Sequence, residues 1–341
     1  MRNLRVYILF AAIVLLVFAC KKETNNTPVT TDGGIDVPEG FPPIPFPVDN
    51  QYSLKRWELG KRLFYDPILS SDSSLSCASC HKADIAFSDD VAFSMGVKGR
   101  AGTRNSPTLT NVAYLPYFTR EGGVPTLEMQ VLVPIQEHNE FDFNIVLIAD
   151  RLQQSKEYVA MSWEAYNRPP DHFVITRALA MFERSLISGN SAYDRYYFQK
   201  NTSALTPDEI KGMELFFSAK TNCSSCHGGF NFSNYAFSNN GLYETYADIG
   251  RKRLTNNDTD LALFKVPTLR NIALTAPYMH DGSLKTLEEV VEHYNTGGKN
   301  HPHKSKLIMP LQLTPTEKAQ LVAFLKSLTD YDFVNNKKFK P

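Results

Sequence analysis

Apolar residues recur at helical spacing in several separate stretches of this chain. Between Leu54 and Tyr65 the apolar residues Leu54, Trp57, Leu59, Leu63 and Phe64 fit one face of a helix. The stretch from Asp171 to Ile187 shows the same spacing. No stretch keeps up the two-residue alternation that is typical of a half-buried strand. The pattern therefore predicts an all-α fold.

Two further helices are predicted by matching start signals. Thr206-Pro207-Asp208-Glu209 and Thr314-Pro315-Thr316-Glu317 each supply an N-cap threonine, a proline at the first helical position and a glutamate three residues after the cap. Apolar residues then follow at helical spacing as far as Phe216 in the first case and Leu328 in the second. We expect a helix to begin at each signal.

The first fifty residues differ in composition from the rest of the chain. Arg2 and Arg5 precede an apolar run from Val6 to Ala19, which is shorter than the roughly 20 residues of a membrane span. The run ends at Val17-Phe18-Ala19-Cys20, a lipoprotein-type signal; a plain signal peptide with an incidental cysteine is the alternative. We expect residues 1–20 to be a lipoprotein signal, 21–50 a flexible proline-rich tether, and the mature protein to be a membrane-anchored lipoprotein of the periplasm, with its lipid on Cys20.

The candidate chemistry lies in two pentads, Cys77-Ala78-Ser79-Cys80-His81 and Cys223-Ser224-Ser225-Cys226-His227. Two cysteines two residues apart, followed at once by histidine, form the attachment signature of a c-type haem. The cysteines become thioethers, and His81 and His227 become iron ligands. A lone Cys-x-x-Cys is also compatible with a redox dithiol or half a zinc site, but the histidine favours haem. We expect two covalently bound haems c.

Composition excludes some other classes. Lys+Arg and Asp+Glu both total 36, so no basic excess indicates nucleic-acid binding. Four of the five cysteines lie in the pentads, which leaves no disulfide framework. At 341 residues and 43% hydrophobic content, the chain is long enough for two domains with cores of their own.

Several sequence blocks occur twice. Residues 107–113 match residues 267–273, and residues 126–128 match 286–288, both at an offset of 160. Residues 60–65 and 212–217 also match, and each block shortly precedes a pentad. We therefore predict two haem lobes related by an internal repeat, an N-terminal domain over 51–204 and a C-terminal domain over 205–341, joined by a helical stretch near 155–205.

These blocks resemble the bacterial di-haem cytochrome c peroxidase family, which includes the MauG-type enzymes. The resemblance extends from about residue 51 to residue 328 and is carried by residues 59–67, 104–108, 266–271 and 275–282. It implies two cytochrome c-like lobes. It also implies that the N-terminal haem reacts with hydrogen peroxide, while the C-terminal haem relays electrons from a small cytochrome c or a cupredoxin.

The resemblance assigns catalytic roles to Gln130 and Glu140. Gln130 is the first residue of the element Gln130-Val131-Leu132-Val133-Pro134-Ile135, and Glu140 follows this element. Glu140 would take a proton from one peroxide oxygen and return it to the other. His138 is a second candidate for a ligand or proton relay, with a surface histidine as the alternative. Many family members hold an extra histidine ligand where this chain has Val97. Because valine cannot bind iron, we expect the first haem to be open without reductive activation.

For the second haem, the resemblance places the distal iron ligand at Tyr294. The repeat supports the asymmetry, because the position 160 residues earlier is Pro134, which offers no ligand. Alternatives for the distal ligand are Met279, Met309 and His293.

The resemblance also implies a calcium ion held by Asn105, Thr275 and Pro277, all oxygen donors. An inter-haem tryptophan that the family usually carries is absent, since the chain has Thr119-Arg120 at that place. Tyr117 is a candidate substitute relay, with a core tyrosine as the alternative.

The sequence thus predicts a di-haem peroxidase. A MauG-like oxidase that modifies Trp or Tyr of a partner protein and a simple di-haem electron carrier are the alternatives. Whether the chain forms a homodimer is left open.

Overall fold

The computed structural model of the chain describes residues 29–30 and 34–341. The predicted signal peptide, including Cys20, lies outside the described residues. Within the described ranges, no helix combines the length and apolar character needed to cross a bilayer.

The described chain is rich in helix and contains little strand. The α-helices are α1 (Leu54–Tyr65), α2 (Leu127–Gln130), α3 (Leu132–Gln136), α4 (Ile145–Gln153), α5 (Lys156–Tyr166), α6 (His172–Arg184), α7 (Ala192–Tyr197), α8 (Pro207–Phe216), α9 (Cys223–Cys226), α10 (Lys252–Thr255), α11 (Leu287–Asn295), α12 (Pro315–Ser327) and α13 (Tyr331–Val334). Short 3-10 turns lie at Pro67–Leu69, Cys77–Ser79, Ala83–Ile85, Val97–Gly99, Val112–Tyr114, Asp258–Asp260, Ile272–Leu274 and Lys337–Phe339. The strands are β1 (Val29–Thr30), β2 (Asp36–Val37), β3 (Phe237–Ser238) and β4 (Phe264–Lys265), and they form two antiparallel pairs, β1 with β2 and β3 with β4.

The predicted helix starts are confirmed in their hydrogen bonding. The Thr206 side chain accepts from the Glu209 amide, while the Glu209 carboxylate accepts from the Thr206 amide at 2.7 Å. Thr314 and Glu317 form the same reciprocal pair, with the carboxylate 2.8 Å from the cap amide. Each reciprocal pair, known as a capping box, provides acceptors for N–H groups that have no partner inside the helix. This explains why α8 and α12 begin where the sequence indicates.

Each lobe contains a pair of closely packed helices that meet at a glycine. α1 packs on α6, and α8 packs on α12. A Cβ atom on Gly60 would lie 1.9 Å from the Ala178 carbonyl oxygen, and one on Gly212 would lie 1.9 Å from that of Gln320. Only glycine allows backbones to approach so closely. The two glycines occupy matching positions in the repeated blocks 60–65 and 212–217.

The core of the first lobe includes residues from the end of the chain. Phe64 and Phe182 are fully buried at its centre, and Phe333 and Phe339 pack into the same cluster. The Tyr65 hydroxyl donates to the Phe339 carbonyl at 2.5 Å. The last turn of the chain therefore closes the N-terminal lobe. The second core is built around Phe216, Phe232 and Phe324.

The chain is packed well before residue 50, where the sequence predicts the end of a flexible tether. Ile35, Val37 and Ile44 are buried in a small cluster with Ala113. Asn50 is fully buried and donates from Nδ2 to Glu128 Oε1 at 2.9 Å. The tether prediction fails from Ile35 onward, because single apolar residues between prolines find partners on the first lobe.

A buried polar network joins the lobes. Asn111 and Asn271, which match in the repeat, both adopt left-handed backbone conformations. The Ser188 amide donates to Asn111 Oδ1 at 2.8 Å, and Asn271 Nδ2 donates to Ser188 Oγ at 3.0 Å. Asp330 Oδ2 accepts from the Ser188 hydroxyl at 3.0 Å. Asn111 of the first lobe and Asn271 of the second thus both form hydrogen bonds with Ser188, on the segment that connects the lobes.

Candidate functional site

The two pentads adopt compact local structures. Cys77–Ser79 is a 3-10 turn, and Cys223–Cys226 is the short helix α9. In both, the histidine amide donates to the carbonyl of the first cysteine, at 3.0 Å for His81 and 2.8 Å for His227. This bond folds the histidine back toward the two thiols, as a shared porphyrin requires.

The orientation of both histidines suits iron binding. His81 Nδ1 lies 3.0 Å from the Phe87 carbonyl oxygen, and His227 Nδ1 lies 3.1 Å from that of Phe232. A carbonyl only accepts, so Nδ1 carries the proton and the Nε2 lone pair is left for a metal. Burial lowers the pKa of both imidazoles, which favours the neutral, ligating form. This donor set fits a covalent haem c in each lobe.

Sequence reasoning missed the two phenylalanines that present those carbonyls. Phe87 and Phe232 have φ values of +57° and +49°, in the left-handed region that bulky residues rarely adopt. Each is almost completely buried in its lobe's core. Packing thus holds a strained backbone turn whose carbonyl fixes the histidine tautomer. The signal in the sequence is an aromatic residue five or six positions after each histidine.

Glu140 is positioned by a neighbouring loop. It follows α3, and its amide donates to the Glu137 carbonyl at 3.0 Å. The Val97 amide donates to the Glu140 carbonyl at 2.9 Å, and the Val97 side chain is almost fully buried. A Cβ atom on Gly96 would lie 2.0 Å from the Asn139 carbonyl oxygen, so glycine is needed for this contact. Residues 96–97 therefore support the backbone that carries Glu140.

The Glu140 carboxyl lies in a setting that favours its neutral form. Glu140 is exposed to solvent by its accessible surface, although nearby protein atoms partly desolvate its carboxyl. Desolvation by these atoms, with a smaller effect from the Glu137 carboxylate, raises its pKa to about 7. Its charge also contributes to raising the pKa of Cys77 and Cys80, which shows that it faces the first pentad. A carboxyl with this pKa takes up and releases protons near neutral pH.

Gln130 ends α2, and its side-chain oxygen Oε1 is buried without a hydrogen-bond partner. A buried acceptor of this kind is uncommon, and it suits a donor supplied by a bound molecule. His138 has a different environment. Its side chain is 69% exposed and contacts Arg100 at 2.9 Å and Asp142 at 3.2 Å, so it matches the surface alternative.

Tyr294 lies on α11 in the second lobe. Burial raises the pKa of its hydroxyl to about 12, and the Cys223 and Cys226 thiols contribute to that rise. The hydroxyl is therefore close to the second pentad. In the first lobe the matching position is Pro134, within α3.

The alternative ligands of the second haem have other contacts. Met279 Sδ accepts from Asn240 Nδ2 at 3.1 Å. His293 Nε2 donates to the Asn240 carbonyl at 3.0 Å, so the free lone pair of that imidazole is on Nδ1. Met309 is 54% exposed. Tyr294, Met279 and His293 all contact Asn240, and of these the Tyr294 hydroxyl is also close to the second pentad.

The residues predicted to bind calcium have an unexpected neighbour. Asn105 is buried, and its amide donates to the His280 carbonyl at 2.9 Å, on the segment that also carries Thr275 and Pro277. Arg120 donates to the Asn105 carbonyl oxygen at 2.6 Å and to its side-chain oxygen at 3.2 Å. In the described part of the chain, no group of three His, Cys, Asp or Glu side chains is arranged to hold a metal. Both Asn105 oxygens already accept from the Arg120 cation, and this contact does not fit a calcium ion at the Asn105 side chain.

Tyr117 bridges the two lobes. Its ring stacks on Phe237 with centroids 5.1 Å apart, and its hydroxyl donates to the Tyr235 carbonyl. It is therefore an aromatic side chain of the first lobe in direct contact with the second.

Comparison with known proteins agrees with this arrangement. Residues 54–202 match the family model described as di-haem cytochrome c peroxidase, and residues 209–329 match the cytochrome c model. The methylamine utilization protein MauG of Methylorubrum extorquens is 33% identical over 84% of this chain and 81% of its own. The cytochrome-c peroxidase IdrP1 of Denitromonas iodatirespirans is 33% identical over 85% of each chain.

A solved structure is also similar. A MauG-like protein associated with microbial copper homeostasis superimposes with a TM-score of 0.84 and 35% identity, over 89% of this chain and 97% of that one. Domains of these types carry covalently bound haem c, the group that both pentads fit. The chain therefore belongs to the di-haem cytochrome c peroxidase family, which includes MauG.

Proposed function

We propose that this protein is a di-haem c-type peroxidase that reduces hydrogen peroxide to water with electrons from a small periplasmic cytochrome c or cupredoxin. The observation that carries the proposal is the asymmetry between the lobes. Near the first pentad lies Glu140, a carboxyl whose pKa is raised to about 7 by desolvation and by Glu137, whereas Tyr294 lies near the second pentad. One lobe offers an acid–base group and the other a ligand.

The haems, held by the cysteine thioethers and by Nε2 of His81 and His227, supply the redox-active iron. Glu140 in its ionised form accepts a proton from one peroxide oxygen and returns it to the other, so that water leaves as the O–O bond breaks. The unpaired Gln130 Oε1 accepts a hydrogen bond from bound peroxide and orients it. Over the cycle, peroxide takes up two electrons and two protons and gives two waters.

The remaining residues maintain the difference between the lobes. Val97, in the place of the extra histidine, would leave the first iron without a second protein ligand, and its amide donates to the Glu140 carbonyl. Tyr294 would bind the second iron, and a phenolate there would lower the reduction potential of that haem relative to a thioether. Both roles follow from the family resemblance together with the placement of these side chains.

The organisation of the whole chain is part of the proposal. We propose that the lobes arose by internal duplication, because the left-handed asparagines Asn111 and Asn271 and the contact glycines Gly60 and Gly212 recur at matching positions. Lipid attachment at Cys20 would place the enzyme in the periplasm, where haem c is attached and small redox proteins are found.

A MauG-like oxidase of a protein substrate is the second candidate. Tyr294 and the replacement of the extra histidine by Val97 favour it, as does the similarity to MauG. Steady-state peroxide turnover with a reduced cytochrome or cupredoxin tests the two. We expect turnover that is first order in peroxide; modification of Trp or Tyr in a partner protein, without such turnover, would support the oxidase. No response to peroxide would indicate an electron carrier.

A further inference from the structure

Arg120 is a half-buried cation without a carboxylate partner. Its Nε and Nη2 donate to the Asn105 carbonyl oxygen at 3.2 and 2.6 Å, and Nη2 also contacts Asn105 Oδ1 at 3.2 Å. Among the described residues, no Asp or Glu oxygen lies within 4.0 Å of this guanidinium, and Nη1 makes no hydrogen bond. An arginine at such a place normally forms a bidentate pair with a carboxylate.

The carboxylates of Asp281, Asp248 and Glu121 act on Arg120 electrostatically and raise its pKa, but none of them forms an ion pair with it. Arg104 is paired with Glu121 and with Asp248, the latter at 2.6 Å, so these two acids are already used. Lys265 donates from its amide to the Arg120 carbonyl at 2.7 Å, and its Nζ contacts only the Tyr117 carbonyl, at 2.8 Å. Arg120 and Lys265 are therefore two adjacent cations with no carboxylate of their own.

Such a pair is unfavourable unless an anion lies beside it. Desolvation lowers the pKa of Arg120 to about 10, with a smaller effect from Arg104, and it lowers that of Lys265 to about 8, with a smaller effect from Arg120. An uncompensated buried charge is strongly destabilising. The covalently bound haems would bring carboxylates of their own, the propionates, which are anions of the kind that this pair lacks.

The Arg120 guanidinium lies at the position where the resemblance predicts the calcium ion. It contacts both oxygens of Asn105, one of which is the only side-chain ligand that the resemblance offers to the metal. Arg120 belongs to the first lobe and Lys265 to the second, and the Asn105 amide bonds across the lobes to His280. A cation at this point therefore lies beside residues of both lobes.

We propose that Arg120 is a built-in replacement for the calcium ion, a fixed positive charge between the lobes that, together with Lys265, neutralises haem propionates. The protein is then independent of calcium. This inference rests on the attachment of haem and not on the peroxidase reaction, so it stands or fails separately from the proposed function.

The test uses the holoprotein with both haems attached. Protein exposed to 5 mM CaCl₂ and then dialysed is analysed for metal, and its thermal unfolding is followed with EDTA and with CaCl₂. We expect no stoichiometric calcium and the same melting temperature in both solutions. About one calcium per chain, with a melting temperature that falls in EDTA, would overturn the proposal.

Variants of Arg120 test whether this arginine replaces calcium or has only a structural role. Arg120→Gln frees both Asn105 oxygens, so we expect a melting temperature that falls in EDTA and rises with CaCl₂, and lower haem reduction potentials in EDTA because a positive charge is lost. Arg253→Gln is the matched control, since it removes an exposed positive charge near Glu121 and leaves Asn105 unchanged. It should show no calcium response.

Arg120→Lys keeps the charge and should stay independent of calcium with potentials near those of the parent. If Arg120→Gln does not fold, the Arg120→Lys protein and the metal analysis of the parent decide the question. A folded Arg120→Gln protein with unchanged potentials and no calcium response would contradict the proposal.

Discussion

The amide of Val97 donates a hydrogen bond to the carbonyl oxygen of Glu140 across 2.9 Å. This contact joins two positions that decide how the first haem behaves in the family: the place of an extra histidine ligand and the carboxyl that moves protons. In this chain the first is a buried valine, and its backbone supports the second. The valine proposed to leave the first iron open and the proposed acid–base carboxyl therefore lie on two segments that are packed against each other.

Replacing Glu140 by glutamine removes the group that exchanges protons while keeping its size. We expect kcat/KM for peroxide to fall by roughly 10²- to 10⁴-fold, the usual contribution of a general acid–base group. Haem content and the melting temperature should change little, because the backbone contact to Val97 does not depend on the carboxyl. Steady-state turnover with a reduced cytochrome measures the effect. Activity within twofold of the parent would exclude Glu140 from the reaction.

The pH dependence of kcat/KM should report the Glu140 pKa. The carboxyl must be ionised to accept a proton, so activity should rise with pH through about 7 and be lost below it. Glu137→Gln removes the neighbouring negative charge that helps to raise this pKa, and it should move the rising limb to lower pH. A limb that stays in place, or moves to higher pH, would show that Glu140 is not the titrating group.

Gly96 should matter for catalysis although it does not face the reacting atoms. In Gly96→Ala the new Cβ meets the Asn139 carbonyl oxygen at 2.0 Å, which must push the Glu140 backbone away. A displacement of about 1 Å can reduce turnover by roughly 100-fold. Gly102→Ala is the control, because its Cβ meets nothing closer than 3.4 Å. Equal activity in the two variants would argue against the loop's role.

Tyr294 should set the potential of the second haem. A phenolate stabilises the oxidised iron relative to a thioether, so Tyr294→Met should raise the midpoint potential of one haem and leave the other unchanged. Tyr246→Phe serves as the control, since that neighbouring hydroxyl bonds to Asn239 at 3.2 Å. Spectroelectrochemical titration resolves the two haems. If Met279 is the true ligand, Tyr294→Met will leave both potentials where they were.

The buried pair of Arg270 and Asp194 should contribute strongly to stability. Two parallel hydrogen bonds of 2.8 and 2.9 Å join them, and both side chains are almost fully buried. Arg270→Met leaves the Asp194 charge without its partner, and we expect a loss of about 3–5 kcal/mol in the free energy of unfolding. Lys211→Ala breaks an exposed pair with Glu214 and should lose less than about 1 kcal/mol. Denaturant unfolding of the holoproteins measures both, and similar losses would contradict this ranking.

Local signals in the sequence predicted much of the fold. The boxes at Thr206 and Thr314 involve residues only three positions apart, so the helix starts follow from the sequence directly. The pentads likewise carry their chemistry within five residues. By contrast, the burial of Ile35 and Val37 depends on partners near residue 113, which no local pattern reveals.

The candidate site divides in the same way. Glu140 was identified by its spacing from a motif, but its dependence on Gly96 arises from a contact between segments more than forty residues apart. The contact between Arg120 and Asn105 was not predicted, because the sequence shows only that a tryptophan is missing. Side-chain partners across loops follow from the packing of the whole lobe.

The central claim is that the first haem is open while the second is closed, and the ferric EPR spectrum of the isolated holoprotein tests it most directly. We predict one high-spin and one low-spin haem before any reduction, with the high-spin signal alone lost on addition of hydrogen peroxide. A spectrum in which both haems are low-spin, and which peroxide leaves unchanged, would contradict the account.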